Sequence, residues 1–231
     1  MGYKKQEIVE MCTKAFSEKN TFYKQNFINY RGKISDTNEF YTEVIAQFIL
    51  DNIENYQNGI PMITRATTYK TEGHNGIYSS SSNRLEEIIA MKMYKQGIIF
   101  DEIGKIIDYQ IPLKSQKNDI AGKIDLLSYN GKNNTVFVLE LKKPDSTETM
   151  LRCVLEGYTY LKTVDEEKLL EDFDLPPKTL VTAAPLAFWK GNQWTEWQED
   201  RPALHSLCEV LGIKPYFIKE ENDTYTILEE E

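Results

Sequence analysis

Residues 121–143 read AGKIDLLSYNGKNNTVFVLELKK, and the fold turns on how that stretch pairs with itself. Two short apolar runs flank the polar segment Asn130-Gly131-Lys132-Asn133-Asn134. An Asn-Gly pair between such runs favours a hairpin, because both residues tolerate the positive φ of a tight connection. Side chains alternate across a strand, so Glu140 and Lys142 share one face of the second run. Closing the hairpin brings Asp125, in the first run, beside Glu140. The predicted result is two carboxylates and one ammonium at one spot on adjacent strands.

That trio suits one kind of chemistry. Two carboxylates can hold Mg²⁺ (or Mn²⁺), which prefers oxygen ligands and keeps several waters. Such an ion lowers the pKa of a bound water and clamps a phosphate oxygen. A lysine beside it orients the water or stabilises developing negative charge. Asp125 followed, after the fourteen residues 126–139, by Glu140-Leu141-Lys142 resembles the PD-(D/E)xK nuclease superfamily. That superfamily includes restriction endonucleases, Holliday-junction resolvases and RecB-like nucleases. Ile124 stands where many members have proline. The resemblance implies metal binding by Asp125, Glu140 and the Leu141 carbonyl, with Lys142 acting on the water.

The neighbouring segments add candidates. The run 83–97, NRLEEIIAMKMYKQG, reads as a helix with Gly97 as its C-cap. Glu86 leads its apolar face of Ile89, Ala90 and Met93. Related nucleases place a glutamate on this helix beside the metal, which makes Glu86 a catalytic candidate and Glu87 its alternative. The spacing Asn83 to Glu86 also fits a simple helix cap. After Lys143 a turn leads into a helix over 148–163, on which Glu148, Arg152, Glu156 and Tyr160 recur every four residues. RecB-like nucleases carry Gln-x-x-x-Tyr on this helix, and Glu156 to Tyr160 has that spacing with Glu replacing Gln. The resemblance makes Arg152, Glu156 and Tyr160 substrate-binding candidates. The same stripe also fits a solvent face with i,i+4 ion pairs, each worth roughly 0.2–0.5 kcal/mol. Gln110, before the Asp125 strand, is expected to reach toward substrate.

Elsewhere the chain reads as ordinary α/β protein. Residues 3–18 have helical spacing, and a second helix is expected from a cap at Asp36 or Thr37 through about residue 56. Asn58-Gly59-Ile60-Pro61 ends it. Residues 62–78, with Arg65, Lys70 and His74, followed by the serine run 79–82, read as a solvated connector before the core or, as the alternative, as a loop that contacts substrate. The stretch 165–177 is an acidic loop or short helix. Residues 179–188 form a buried strand interrupted by Pro185, and Trp189, Trp194 and Trp197 follow as packing anchors. A helix over 201–211 and a closing hairpin at 216–219 and 224–228 complete the chain.

Composition bounds the rest. A chain of 231 residues is one domain with additions or two small ones, divided here into a helical region at 1–75 and a nuclease-like domain at 76–231. The expected fold class is α/β: a mixed central sheet flanked by helices, with a restriction-endonuclease-like core and a helical N-terminal addition. Hydrophobic content of 41% supports an ordinary core, and no apolar run approaches the roughly 18 residues of a membrane span. Three scattered cysteines, Cys12, Cys153 and Cys208, fit reduced thiols. Together with the absence of a signal-peptide core, they point to a cytoplasmic protein.

The net charge of −9 is unevenly spread. Residues 1–163 carry 21 of the 27 basic and 20 of the 36 acidic side chains, leaving 6 and 16 for residues 164–231. The half with the candidate site is therefore nearly neutral. The acidic C-terminal region would suit a protein partner or a second copy in a homodimer. There is no HExxH, no GxSxG, no Walker A loop and no GxGxxG. The expected function is metal-dependent hydrolysis of phosphodiester bonds, in nucleic acid and most of all in DNA. The alternative is a non-catalytic nucleic-acid- or protein-binding module on the same fold.

Overall fold

The computed structural model describes residues 2–77, 84–115 and 121–228. Helices α1 (Lys5–Ala15), α2 (Tyr41–Asp51), α3 (Ile53–Asn58) and α4 (Leu85–Gln96) precede the sheet. Its strands are β1 (Ile99–Phe100), β2 (Gly104–Pro112), β3 (Lys123–Asn130), β4 (Thr135–Leu141), β5 (Leu180–Phe188), β6 (Tyr216–Glu221) and β7 (Thr224–Leu228). Helices α5 (Met150–Thr163) and α6 (Glu166–Asp172) connect β4 to β5, and α7 (Asn192–Gln198) and α8 (Pro202–Leu211) connect β5 to β6. Among the described residues the seven strands form one sheet, ordered as in the chain. Strands β1 to β4 pair antiparallel, β5 is parallel to both β4 and β6, and β7 closes antiparallel on β6.

Strand β4, TVFVLEL, is buried at every position, as a central strand covered on both faces must be. One apolar cluster, with Ile8, Ile45, Val138, Leu155 and Leu207, seats α1, α2, α5 and α8 on one face. The other, with Ile89, Met93, Leu126, Leu139 and Ile218, seats α4 on the opposite face. The N-terminal helices thus share one core with the sheet. Gly104, at φ 74°, turns β1 into β2 where an added Cβ would meet the Tyr129 carbonyl at 2.1 Å. Among the described residues, no helix is long and apolar enough to cross a membrane.

The α/β class and the mixed sheet flanked by helices match expectation, and the hairpin closes between Asn130 and Thr135, with the positive φ of its loop at Asn134 (53°) rather than at Asn130-Gly131. Helix α4 ends at Gly97 in the left-handed conformation, also as expected. The serine run and residues 116–120 lie outside the described residues. The second helix departs from expectation. It starts at Tyr41, because Lys33 and Phe40 bridge and residues between them turn back, with Ile34 N–H donating to Glu39 O. Asp36 instead accepts from Lys5 N–H at 3.0 Å, at the start of α1. A break at Asn52 then separates α2 from α3. Residues 192–198 form the short helix α7, and its Trp194 and Trp197 pack on the core.

Pro185 does not interrupt β5. Leu180 N–H donates to Asn134 O and Leu186 O accepts from Lys142 N–H, so even-numbered residues of β5 address β4. Pro185 therefore faces β6, whose pairing begins one residue later at Leu186. No ladder bond is lost at the missing N–H.

Candidate active site

The hairpin register places the site. Leu126 pairs with Leu139, so Asp125 and Glu140 come opposite each other at the end of the ladder. Asp125 is fixed on both oxygens: Gln110 Nε2 donates to Oδ1 and Leu141 N–H donates to Oδ2, each at 3.0 Å. In an extended strand a residue's N–H and C=O address the same neighbour, so the Leu141 carbonyl also points toward the Asp125 side. Gln110, in the left-handed region at φ 50°, orients the aspartate.

Glu140 and Lys142 lie on the face covered by α5. Lys142 Nζ is 2.7 Å from Glu140 Oε1, 2.6 Å from Glu148 Oε2 and 3.4 Å from Glu156 Oε2. Glu156 Oε1 accepts from the Tyr160 hydroxyl at 2.9 Å, and Tyr23 donates to Tyr160 at 3.4 Å. Arg152 Nε lies 2.8 Å from Glu148 Oε1, its guanidinium over the Tyr23 ring. The stripe on α5 is thus buried and faces the sheet. Glu156 and Tyr160 are 9% and 7% exposed. Sequence reasoning missed Glu148 and Tyr23 as members. Glu148 was visible as the first residue of the four-residue repeat, whereas nothing local marks Tyr23. Gly122 completes the enclosure, since an added Cβ would sit 2.1 Å from the Tyr160 hydroxyl.

Glu86 reaches the site from α4, on the other side. Its Oε1 accepts from Lys143 N–H at 3.2 Å, just past the end of β4. Arg84, at the start of the helix, makes no side-chain cap, Asn83 lies outside the described residues, and Glu86 serves the strand end. Glu87, the alternative, pairs with Arg84 at 3.1 Å. Glu86, Glu87, Gln110, Asp125 and Lys143 line a cleft of about 340 Å³.

The electrostatics follow from burial. Burial pushes the Asp125 carboxyl up to about 7 against the pull of Lys142 and the Leu141 N–H, with Glu86 and Glu156 adding to the rise. Burial also raises Glu140 well above the usual carboxylate range, despite Lys142. Burial alone would lower Lys142, but Glu140, Glu156 and Glu148 hold it as an ammonium well above its ordinary value. Glu140, Glu148 and Glu156 thus share the two cations Lys142 and Arg152, and Asp125 feels the Lys142 charge. Among the described residues, no three His, Cys, Asp or Glu side chains converge as a ready-made metal cage. The donor set still fits a hard cation, because Glu140 Oε2 is buried with no hydrogen-bond partner among the described residues. By register Asp125 is the cross-strand neighbour of Glu140, and of the two only Asp125 lines the open cleft.

Comparison of the chain with family models, with curated proteins and with solved structures gives no match in any of the three.

Proposed function

We propose that the chain is a divalent-metal-dependent nuclease of the PD-(D/E)xK type that hydrolyses phosphodiester bonds, with DNA as the foremost substrate. The observation that carries this reading is the hairpin pair Asp125 and Glu140, with an unpartnered Glu140 oxygen and Lys142 two residues on. Excess buried carboxylate is costly without a compensating cation. Asp125, Glu140 and the Leu141 carbonyl would hold Mg²⁺ or Mn²⁺. The ion would supply Lewis acidity and a water of lowered pKa.

The chain's own groups have separate tasks in this reading. Gln110 and the Leu141 N–H hold Asp125 in one orientation. Glu148, Glu156 and Tyr160 hold Lys142 charged at the end of β4, where its ammonium orients the nucleophile and offsets charge on the phosphate. Glu86 fixes the backbone at Lys143 and borders the open cleft through which the phosphodiester would enter. Arg152 belongs to the buried network through Glu148, and in this reading it supports Lys142 rather than contacting phosphate.

The test is incubation of the full chain with supercoiled plasmid, linear duplex, single-stranded DNA and RNA, with Mg²⁺, with Mn²⁺ and with chelator. Cleavage by the wild type with metal is expected, abolished by chelator and by Asp125→Ala. For Lys142→Ala a drop of at least about 100-fold is expected. No cleavage of any substrate, or cleavage untouched by the two substitutions, would overturn the reading.

A further inference from the structure

A second cleft of about 280 Å³ adjoins the first, and the two share Glu87 and Gln110 in their walls. His74 and Tyr109 line it, with Lys123 at its edge. The imidazole is fixed in two ways. Its Nδ1 lies 2.6 Å from Asp108 Oδ1, and its ring stacks on Tyr109 with centroids 4.0 Å apart and planes 15° apart. Asp108 is itself buried, and its Oδ1 also accepts from Tyr109 N–H at 2.8 Å. The Tyr109 hydroxyl accepts from Gly76 N–H, which ties the His74 segment to β2.

A carboxylate on Nδ1 fixes that nitrogen as a donor and leaves Nε2 for a ligand. Among the described residues Nε2 makes no hydrogen bond. Asp108 from β2 holds the ring, and the other charged groups lining its cleft are Glu87 from α4 and Lys123 from β3. Glu87 is tied to Arg84, and Lys123 is exposed and makes no ion pair among the described residues. His205 is a contrast within the same chain: its Nε2 lies 3.2 Å from the Trp197 carbonyl and its ring stacks on Trp197. No carboxylate orients it.

We infer that His74, oriented by Asp108 and Tyr109, is a phosphate-binding residue of a groove leading to Asp125, binding as the doubly protonated ring with Nδ1–H donating to Asp108 and Nε2–H donating to a non-bridging backbone oxygen of bound nucleic acid. This rests on the nuclease reading for the identity of the ligand. Phosphate contacts of this kind set register and orientation rather than sequence preference.

The chain has two histidines, so ring-proton NMR gives one signal for the site and one internal control. The full-length wild type, in chelator, is titrated with inorganic phosphate and separately with a short single-stranded DNA. Saturable movement of the His74 signal with both probes is expected, the His205 signal remaining still. His74→Gln, which also assigns the signals, is expected to weaken oligonucleotide binding roughly tenfold. A stationary His74 signal on oligonucleotide binding would overturn the inference, as would unchanged affinity in His74→Gln. The two readings separate in the same samples. Cleavage with Mn²⁺ alongside a stationary His74 signal removes only the phosphate role. A His74 signal that follows phosphate in a protein that cuts nothing removes only the nuclease.

Discussion

The Asp125 carboxyl, partly open to the cleft, is raised to about 7 chiefly by burial. A carboxyl whose folded pKa exceeds its unfolded value of about 3.9 favours the folded state while it is protonated. Its contribution is full below that unfolded value and is lost as pH rises through about 7. Glu140, also raised, acts with the same sign. Metal-free protein in chelator is therefore expected to lose stability between about pH 4 and 7, and Asp125→Asn to flatten the decline. Urea midpoints across that range measure it, and an identical slope in the variant would contradict the burial of this charge. Gly122 gives a steric counterpart. Alanine there must drive the Tyr160 hydroxyl off Glu156, at a cost of about 1–3 kcal/mol. A lowered melting temperature in Gly122→Ala is the expected readout. A melting temperature equal to wild type would show that the phenol moves freely.

At the scale of elements, the hairpin was legible because its cues are local: alternation in two runs and an Asn-Gly between them. Helix α4 with its Gly97 stop and α8 with Gly212 were legible for the same reason. The start of α2 was not, because Asp36 is engaged with Lys5, 31 residues away in sequence. The α5 stripe was legible as a repeat, but its direction was not. A four-residue repeat of polar groups reads equally as solvent face or buried network, and only Lys142 on the facing strand decides it. Pro185 reads as a breaker when strand neighbours are unknown; the register puts its nitrogen just ahead of the first pair with β6, Leu186 with Tyr216. Pro185→Ala is accordingly expected to change stability by no more than about 1 kcal/mol, since it restores no ladder bond and loosens only the unfolded chain. Denaturant unfolding checks this, and a gain well beyond that figure would mean that Pro185 strains β5. Arg65 was seen only as a loop cation. In the fold it is buried, with its guanidinium bonded to the carbonyls of Thr68, Pro112 and Lys114, which pins the connector to the end of β2.

Over the whole molecule, the division at residue 75 is one of sequence character rather than of core. Tyr23 touches Tyr160, Thr149 at the start of α5 donates to Ile28 O, and α1 and α2 share the cluster that covers β4. Glu43 of α2 accepts from the N–H groups of Ala203 and Leu204, capping α8. A fragment of residues 76–231 is therefore expected to fail to fold, seen as loss of near-ultraviolet dichroism and of a cooperative melt. A native-like melt of the fragment would contradict the shared core. The same helices press α5 onto the sheet and so hold Glu148 and Glu156 against Lys142. Calorimetric titration of Mn²⁺ into wild type, Asp125→Ala and Glu140→Gln tests the metal site itself. Saturable uptake by the wild type, lost in both variants, is the expected result; uptake equal in all three, or absent from the wild type, would contradict it.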